Sequence, residues 1–256
     1  MFTVRISDEH LEERSWIEHI PATFDLHGEI VQAKKNRNIL RKVAHKGRMY
    51  NIKSFHIPSF FNRIVYTFFR KSKALRSYEH ALILKEKGIG TPAPIALLTE
   101  KLGGLLSRSY YVCEQLPDDY QEIRYCYRGP LAGNEETLTA FAQFTAKLHD
   151  KGIYHTDYSP GNILFSHDEE TGIYDFQLVD INRMKFCEVS MEMGCKNWAR
   201  LFECDEIYEF VARQYAKARD FDEDTCVALI MKAQRDFNNR KVRKRKLKKL
   251  IGKGQG

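Results

Sequence analysis

Asp157 stands in the run His155-Thr156-Asp157-Tyr158-Ser159-Pro160-Gly161-Asn162-Ile163-Leu164-Phe165, five residues before Asn162, and Asp180 closes a second apolar run, Phe176-Gln177-Leu178-Val179. A carboxylate, then an amide, then another carboxylate is the order in which a phosphoryl-transfer site sets its groups. The first acid aligns an attacking hydroxyl. The amide and the second acid can hold a divalent cation that neutralises phosphate oxygens. The expected roles are therefore Asp157 as the catalytic base and Asn162 and Asp180 as Mg²⁺ ligands in a nucleotide site. His155 reads as structural, its ring bonding to the backbone behind Asp180. The sequence has no HExxH, and one His with two acids is too small a ligand set for zinc.

Such a site needs an ammonium for the phosphates and elements to aim it. Glu29–Ala33 and Arg37–Ala44 read as strands joined by a turn at Lys34-Lys35-Asn36, and Met49–Phe55 as a third strand after His45-Lys46-Gly47. Alternation puts Lys53 with Asn51 and Phe55 on one face of the third, where it is expected to bind ATP phosphates. The hairpin lacks GxGxxG, so a phosphate cradle there must rely on loop amides around Lys34–Asn38. Ala74–Lys87 is helical in pattern and stops at Gly88. Leu75, Tyr78, Glu79 and Leu82 share one face, so Glu79 is expected to point inward and pair with Lys53, since an unpaired buried carboxylate is expensive.

After the rigid Thr91-Pro92-Ala93-Pro94, strands at Ile95–Leu98 and Ser109–Cys113 flank the Gly103-Gly104 turn and complete five strands and one helix over residues 29–113. Glu114-Gln115-Leu116-Pro117 then leaves the sheet as a linker between lobes, and Glu114 and Leu116 are expected to offer backbone groups to adenine. Residues 57–73, aromatic and basic together, read as a connector packed by its aromatics. Residues 1–28, with Trp16 and Phe24 among charges, carry no clear signal. Residues 118–133 read as loop with a short helix. Asn134 is expected to cap a helix ending at Gly152, with Leu138, Phe141, Phe144, Thr145 and Leu148 inward. A turn at Gly172–Asp175 would make a hairpin that brings Asn162 and Asp180 close together. From about Met191 the pattern is helical, with Trp198, Leu201, Phe202, Tyr208, Phe210, Val211 and Tyr215 as core anchors. Arg124, Arg128 and Arg183 are candidates to grip the acceptor.

Composition sets the class. The apolar share is 43% and the charged share 29% over 256 residues, ordinary for a globular protein with a sizeable core. No apolar run approaches the roughly 18–20 residues that span a bilayer, and the N-terminus lacks a signal-peptide pattern, which argues against secretion. Six cysteines without CxxC or metal-ligand spacing read as reduced thiols of a cytosolic protein. The net charge of +7 is local, because residues 237–256 hold nine Lys or Arg and no acid, leaving 41 − 9 = 32 basic against 34 acidic residues. Leu247, Leu250 and Ile251 share a helical side there, so residues 240–251 could meet an anionic membrane surface, the acceptor's own anionic groups, or only water. Nucleic acid is not an expected partner, since no aromatic platform accompanies the charge.

At these residues the chain resembles the protein-kinase-like superfamily, and more narrowly the bacterial lipopolysaccharide core kinases, which phosphorylate 3-deoxy-manno-octulosonate (Kdo) or heptose. The similarity rests on Arg37-Asn38, Ile52-Lys53-Ser54-Phe55, Lys71-Ser72-Lys73-Ala74 through Ser77-Tyr78-Glu79, Thr91-Pro92-Ala93-Pro94, His155 to Phe165, and Val179-Asp180-Ile181-Asn182-Arg183, within roughly residues 28–220. It implies an α+β, bilobal protein-kinase-like fold. Residues 1–115 would form an N-lobe with a five-stranded antiparallel sheet and one helix, 116–236 a small, mostly helical C-lobe, and 237–256 a polybasic tail. It also implies ATP with Mg²⁺, a lipid-linked sugar acceptor and work at the cytoplasmic face of the inner membrane. Thr156 stands where protein kinases have Arg, Ser159 where Ser/Thr kinases have Lys, and Asp180-Ile181-Asn182 replaces Asp-Phe-Gly. These departures argue for a sugar or small-molecule hydroxyl over a protein. The alternatives are a kinase for another small-molecule acceptor or a protein, as in RIO-type kinases, and a pseudokinase scaffold, which the intact Lys53, Asp157, Asn162 and Asp180 oppose.

Overall fold

The structure, a computed structural model, describes residues 2–33, 38–124 and 131–252. The chain divides into two compact units, Met1–Asp118 with Leu178–Asn182, and Asp119–Gln177 with Arg183–Gly256.

The first unit is built on an antiparallel sheet of six strands, one more than expected: β1 (Phe2–Ile6), β2 (Glu29–Ala33), β3 (Ile39–His45), β4 (Arg48–Phe55), β5 (Pro94–Leu102) and β6 (Leu105–Glu114), in the order β1-β5-β6-β4-β3-β2. The added strand comes from the N-terminal stretch that carries no clear sequence signal. Phe2, Val4 and Ile6 pack against the core while Thr3 and Arg5 face solvent, a period-two alternation too short to stand out by itself. Helix α1 (Arg14–Thr23) follows and buries Ile17 and Ile20, with Phe24 just past its end. Trp16 stacks on His45 with ring centroids 4.3 Å apart. The register Leu40–Lys53–Tyr111 across β3, β4 and β6 places Lys53 in mid-sheet.

Two short segments of this unit differ from expectation. Helix α3 (Lys73–Glu86) is capped by the Ser72 hydroxyl, which accepts from the Leu75 amide at 3.1 Å. It buries Ala74, Ser77, Tyr78, Ala81 and Leu84 and leaves Leu82 exposed, so its inward stripe is rotated from the one expected. Small residues line that stripe because the helix rests directly on β5 and β6. Before it, α2 (Phe60–Ile64) runs into a π-helical turn, Val65–Phe69, in which the Arg70 amide bonds the Val65 carbonyl at 2.8 Å. The aromatics of this connector do not pack it: Phe60, Phe61, Phe68 and Phe69 are exposed. Polar anchors hold it instead, as Arg63 donates to the carbonyls of Leu102, Leu105 and Leu106, and Thr67 Oγ1 accepts from the Leu106 amide.

The second unit contains α4 (Glu135–Asp150), the three-stranded arrangement β10-β9-β7 of Ile173–Leu178, Ile163–Asp168 and Gln121–Glu122, and the pair β11-β8 of Met184–Phe186 and Ile153–His155. Helices α5 (Met191–Asn197), α6 (Asp205–Ala218) and α7 (Glu223–Gly252) follow. Asn134 occupies the cap position of α4, but its side chain makes no cap bond; Glu135 Oε2 accepts from the Gly133 amide at 2.7 Å instead. The turn between β9 and β10 lies at Glu169–Gly172, not Gly172–Asp175, because the Asp168 carboxylate accepts from the amides of Glu170 and Thr171 and closes the chain there. Phe141, Tyr158, Trp198, Phe202, Tyr208 and Tyr215 form an aromatic core, as the expected anchors do, although Phe210 is only half-buried. Helix α7 runs without a break into the basic segment, so residues 237–252 continue it. The side chains of Leu250 and Ile251 lie outside the described residues, as do Lys34–Arg37, Cys126 and Arg128.

Candidate active site

In the first unit the structure brings Lys53 and Asp180 together. Lys53 Nζ donates to Asp180 Oδ1 at 2.5 Å, and Asn182 Nδ2 donates to the same oxygen at 2.7 Å. Asp180 sits in the left-handed region at φ 52°, a conformation that an Asp tolerates only with local support. That support comes from both sides of it. His80 of α3 bonds the Ile181 carbonyl through Nδ1 at 2.7 Å, and the Thr91 hydroxyl donates to the Leu178 carbonyl at 2.8 Å. The short segment Leu178–Asn182 is thereby tied to α3 and to the Thr91–Pro94 corner.

The expected Lys53–Glu79 pair is not formed. Glu79 Oε2 instead accepts from Lys71 Nζ at 2.8 Å. Lys53 meets the aspartate held in place by its neighbours, while Glu79, half-buried midway along α3, meets Lys71, two residues before the helix starts. At the end of β6 the Glu114 amide is used by the Ala93 carbonyl, and the Gln115 amide by Met49. Gln115 is braced by Asn51 and itself donates to the Leu116 carbonyl. The Leu116 amide makes no hydrogen bond among the described residues.

In the second unit the loop after β8 is organised from inside. His155 is fully buried, and its Nδ1 accepts from the Asp157 amide at 3.1 Å, which braces the loop around Asp157 itself. Asn162 Nδ2 donates to the Asp157 carbonyl at 2.8 Å. Its NH₂ spent this way, Asn162 presents Oδ1 as an acceptor, the atom that a hard cation would bind. Thr156 uses its amide and hydroxyl on the Arg183 carbonyl, at 2.9 and 2.8 Å. Behind the loop, Asn197 Nδ2 donates to the His155 carbonyl at 2.9 Å, which leaves Asn197 Oδ1 to accept from His149 Nε2 at 3.0 Å. His149 Nδ1 then accepts from the Tyr215 hydroxyl at 2.8 Å. Burial, opposed by the Asn197 bond and helped by the Arg219 charge, pushes the His149 imidazole down to about 4, so it is neutral in this network.

Asp157 is flanked by two guanidiniums. Arg200 pairs with its Oδ1 and also donates through Nε to the Tyr158 carbonyl at 3.0 Å, while Arg183 Nη1 lies 3.7 Å from Oδ2. Arg183 was expected near an acceptor. Arg200 was missed, and its signal was a lone charge inside the apolar run Trp198-Ala199-Arg200-Leu201-Phe202. Arg124 pairs with Glu122 and lies over Gly161, where a Cβ would come within 2.7 Å of its Nη2. A cavity of about 920 Å³ opens beside the loop, lined in part by Thr156, Tyr158 and Arg200. Its other charged walls are Lys196, Lys232, Arg240 and Arg243 against Glu192 and Asp236, a surplus of cations.

The profile of the lipopolysaccharide kinase (Kdo/WaaP) family matches residues 22–221. Two curated relatives are 3-deoxy-D-manno-octulosonic acid kinases, from Vibrio cholerae serotype O1 (strain ATCC 39315 / El Tor Inaba N16961), 29% identical over 104 residues, and Vibrio parahaemolyticus serotype O3:K6 (strain RIMD 2210633), 27% over 106. Those matches cover 40% and 41% of this chain, which spans 43% of the length of each relative. Among solved structures, one of WaaP in complex with acyl carrier protein superposes over 91% of this chain and 98% of its own, with a TM-score of 0.62 at 16% identity. The likeness is one of fold, and it bears out the α+β protein-kinase-like architecture expected.

Proposed function

The chain belongs to the lipopolysaccharide kinase (Kdo/WaaP) family, and from that premise we propose that it transfers the γ-phosphate of ATP to a sugar hydroxyl of the lipopolysaccharide inner core, with Kdo as the sugar. The observation that carries the choice of acceptor is the cation-lined cavity beside Asp157. Kdo is an acidic sugar, and its carboxylate and the phosphates of a lipid-linked acceptor match Lys196, Arg200, Arg240 and Arg243. A neutral alcohol would leave that charge unused.

In this reading the acceptor hydroxyl donates a hydrogen bond to Asp157, which is held by the His155 ring and by Arg200, and its proton passes to that carboxylate as the phosphoryl group departs from ADP. Lys53 holds the phosphates, and the bare Leu116 amide with the Glu114 strand end meets adenine. The donor set suits Mg²⁺, which favours oxygen ligands from one or two carboxylates alongside substrate phosphates: Asp180 offers a carboxylate, and Asn162 an amide oxygen oriented by its own NH₂. Bound there, Mg²⁺ would neutralise charge on the phosphate oxygens. Glu79 is a reserve partner for Lys53, to be gained if Lys53 leaves Asp180.

Among the described residues no helix is long and apolar enough to cross a membrane. We place the enzyme at the cytoplasmic face of the inner membrane, peripheral to it, where its acceptor is made. The basic residues 240–251 serve two proposed ends, since Arg240 and Arg243 reach the cavity while the rest of the run can meet anionic lipid. An acyl carrier protein is a further partner to test, given the WaaP complex.

The test is γ-phosphate transfer from ATP to truncated lipopolysaccharide ending in Kdo, to a generic protein and to water, with wild type and Asp157→Ala. Transfer to the glycolipid, lost in the variant, is expected. Glycolipid transfer that survives the substitution refutes the assigned base, and transfer only to protein refutes the acceptor.

A further inference from the structure

The connector between β4 and α3 exposes apolar surface of a kind that folding ordinarily buries. Phe60, Phe61, Phe68 and Phe69 are 61, 78, 68 and 81% exposed, and Leu102, at the tip of the β5–β6 hairpin, is 66% exposed. These two elements are locked to each other, because Arg63 donates to the carbonyls of Leu102, Leu105 and Leu106 and Thr67 Oγ1 receives the Leu106 amide. The rings are therefore held out on a braced support. Among the described residues, Phe60 and Phe61 meet edge to face at 6.0 Å, and Phe68 and Phe69 at 6.5 Å.

The backbone helps to keep the two pairs in phase. Eight residues of α-helix overshoot two turns by about 80° at 3.6 residues per turn. The wider π turn at Val65–Phe69 takes up part of that overshoot and swings Phe68 and Phe69 back towards the side of Phe60 and Phe61. Charge follows the same stretch. From Phe55 to Tyr78 there is no Asp or Glu, while Arg63, Arg70, Lys71, Lys73 and Arg76 are all basic, and Lys101 adds one more beside Leu102. Arg70, Lys71 and Lys101 are exposed.

We propose that Phe60, Phe61, Phe68, Phe69 and Leu102 form a membrane-insertion platform that seats the first unit on an anionic lipid bilayer. Protruding rings suit a soft apolar medium into which they can sink, and the cations around them favour anionic lipid as that medium. The exposed cations Arg70, Lys71 and Lys101 match anionic headgroups, with Lys71 shared with Glu79. This site is separate in sequence from the basic segment of α7, and it goes beyond the proposed activity by saying how the first unit reaches the surface where its acceptor lies.

The experiment is co-sedimentation of the full chain with vesicles of phosphatidylglycerol and phosphatidylethanolamine, and with pure phosphatidylcholine, at low and at high salt. Phe61→Ser/Phe69→Ser, at the two most exposed rings, should lower partitioning to the anionic vesicles about tenfold or more, including the salt-resistant fraction. Transfer to a soluble, deacylated Kdo acceptor should stay at the wild-type rate, which separates loss of seating from loss of activity. A Phe69→Trp probe should shift its emission to the blue on adding anionic vesicles. Unchanged partitioning of the double variant, or no shift of the probe, overturns the proposal. So does a variant that binds vesicles normally but loses self-association or binding to a small acidic carrier protein, since the platform would then belong to a protein partner.

Discussion

Acidification from about pH 7.5 to about pH 5 should weaken the second unit by about 2 kcal/mol through His149 alone. The imidazole is 1% exposed between Asn197 and Tyr215, with Arg219 as the charge that opposes its protonation, and burial pushes it down to about 4 from the ordinary 6.5. Below pH 6.5 the unfolded chain therefore binds a proton that the folded chain refuses until about pH 4. Unfolding takes up that proton, so the stability is complete above the unfolded value and is lost as pH falls from 6.5 towards 4. At about 1.4 kcal/mol per pH unit, the 1.5 units down to pH 5 amount to about 2 kcal/mol, and the whole window to about 3 kcal/mol. Urea unfolding in a Trp16→Phe background reads this unit through Trp198, whose indole lies 5.6 Å from the Tyr215 ring. His149→Gln keeps a donor for Asn197 and has no proton to gain, so its stability should fall less steeply with acid. Parallel slopes for the two proteins over this window would refute the argument, since His149 would then not be the group that titrates. Loss of phosphate transfer should follow the same curve, because Asn197 carries the network to the His155 carbonyl and thence to the Asp157 amide.

Lys53→Met should lower kcat by roughly a thousandfold, because preorganised charge on the phosphates supplies much of the rate enhancement in phosphoryl transfer; single-turnover assays at saturating ATP would show it, and a full-rate variant would move the phosphate site elsewhere. Arg200→Ala should raise KM for the acidic acceptor about tenfold or more while KM for ATP holds, and a change confined to ATP would detach the cavity from the acceptor. Gly194→Ala drives a methyl into the Tyr215 hydroxyl and puts it 3.2 Å from His149 Nδ1. Both atoms are buried and hydrogen-bonded, so neither can yield cheaply, and thermal unfolding should show a loss of about 3 kcal/mol.

The proposed chemistry of this chain was legible because it is local. Asp157 and Asn162 lie within one loop, and their mutual geometry is set by that loop, as the Asn162 bond to the Asp157 carbonyl shows. Strand alternation put Lys53 on one face of its strand, and the Gly103-Gly104 and His45-Lys46-Gly47 turns were plain because positive φ at Gly47, Gly103 and Gly104 calls for glycine. What the sequence could not determine was choice among partners of equal chemistry. Glu79 and Asp180 are both carboxylates, and only the tie of the Asp180 segment to His80 and Thr91 decides which one Lys53 meets. Composition likewise made Arg200 one of 41 basic residues, whereas packing of the Trp198–Phe202 turn sets it on Asp157. The connector phenylalanines fit a buried connector as well as an exposed one by type alone. Their fate rests on Arg63 and Thr67 reaching Leu102 to Leu106, about forty residues away along the chain and beyond any local pattern.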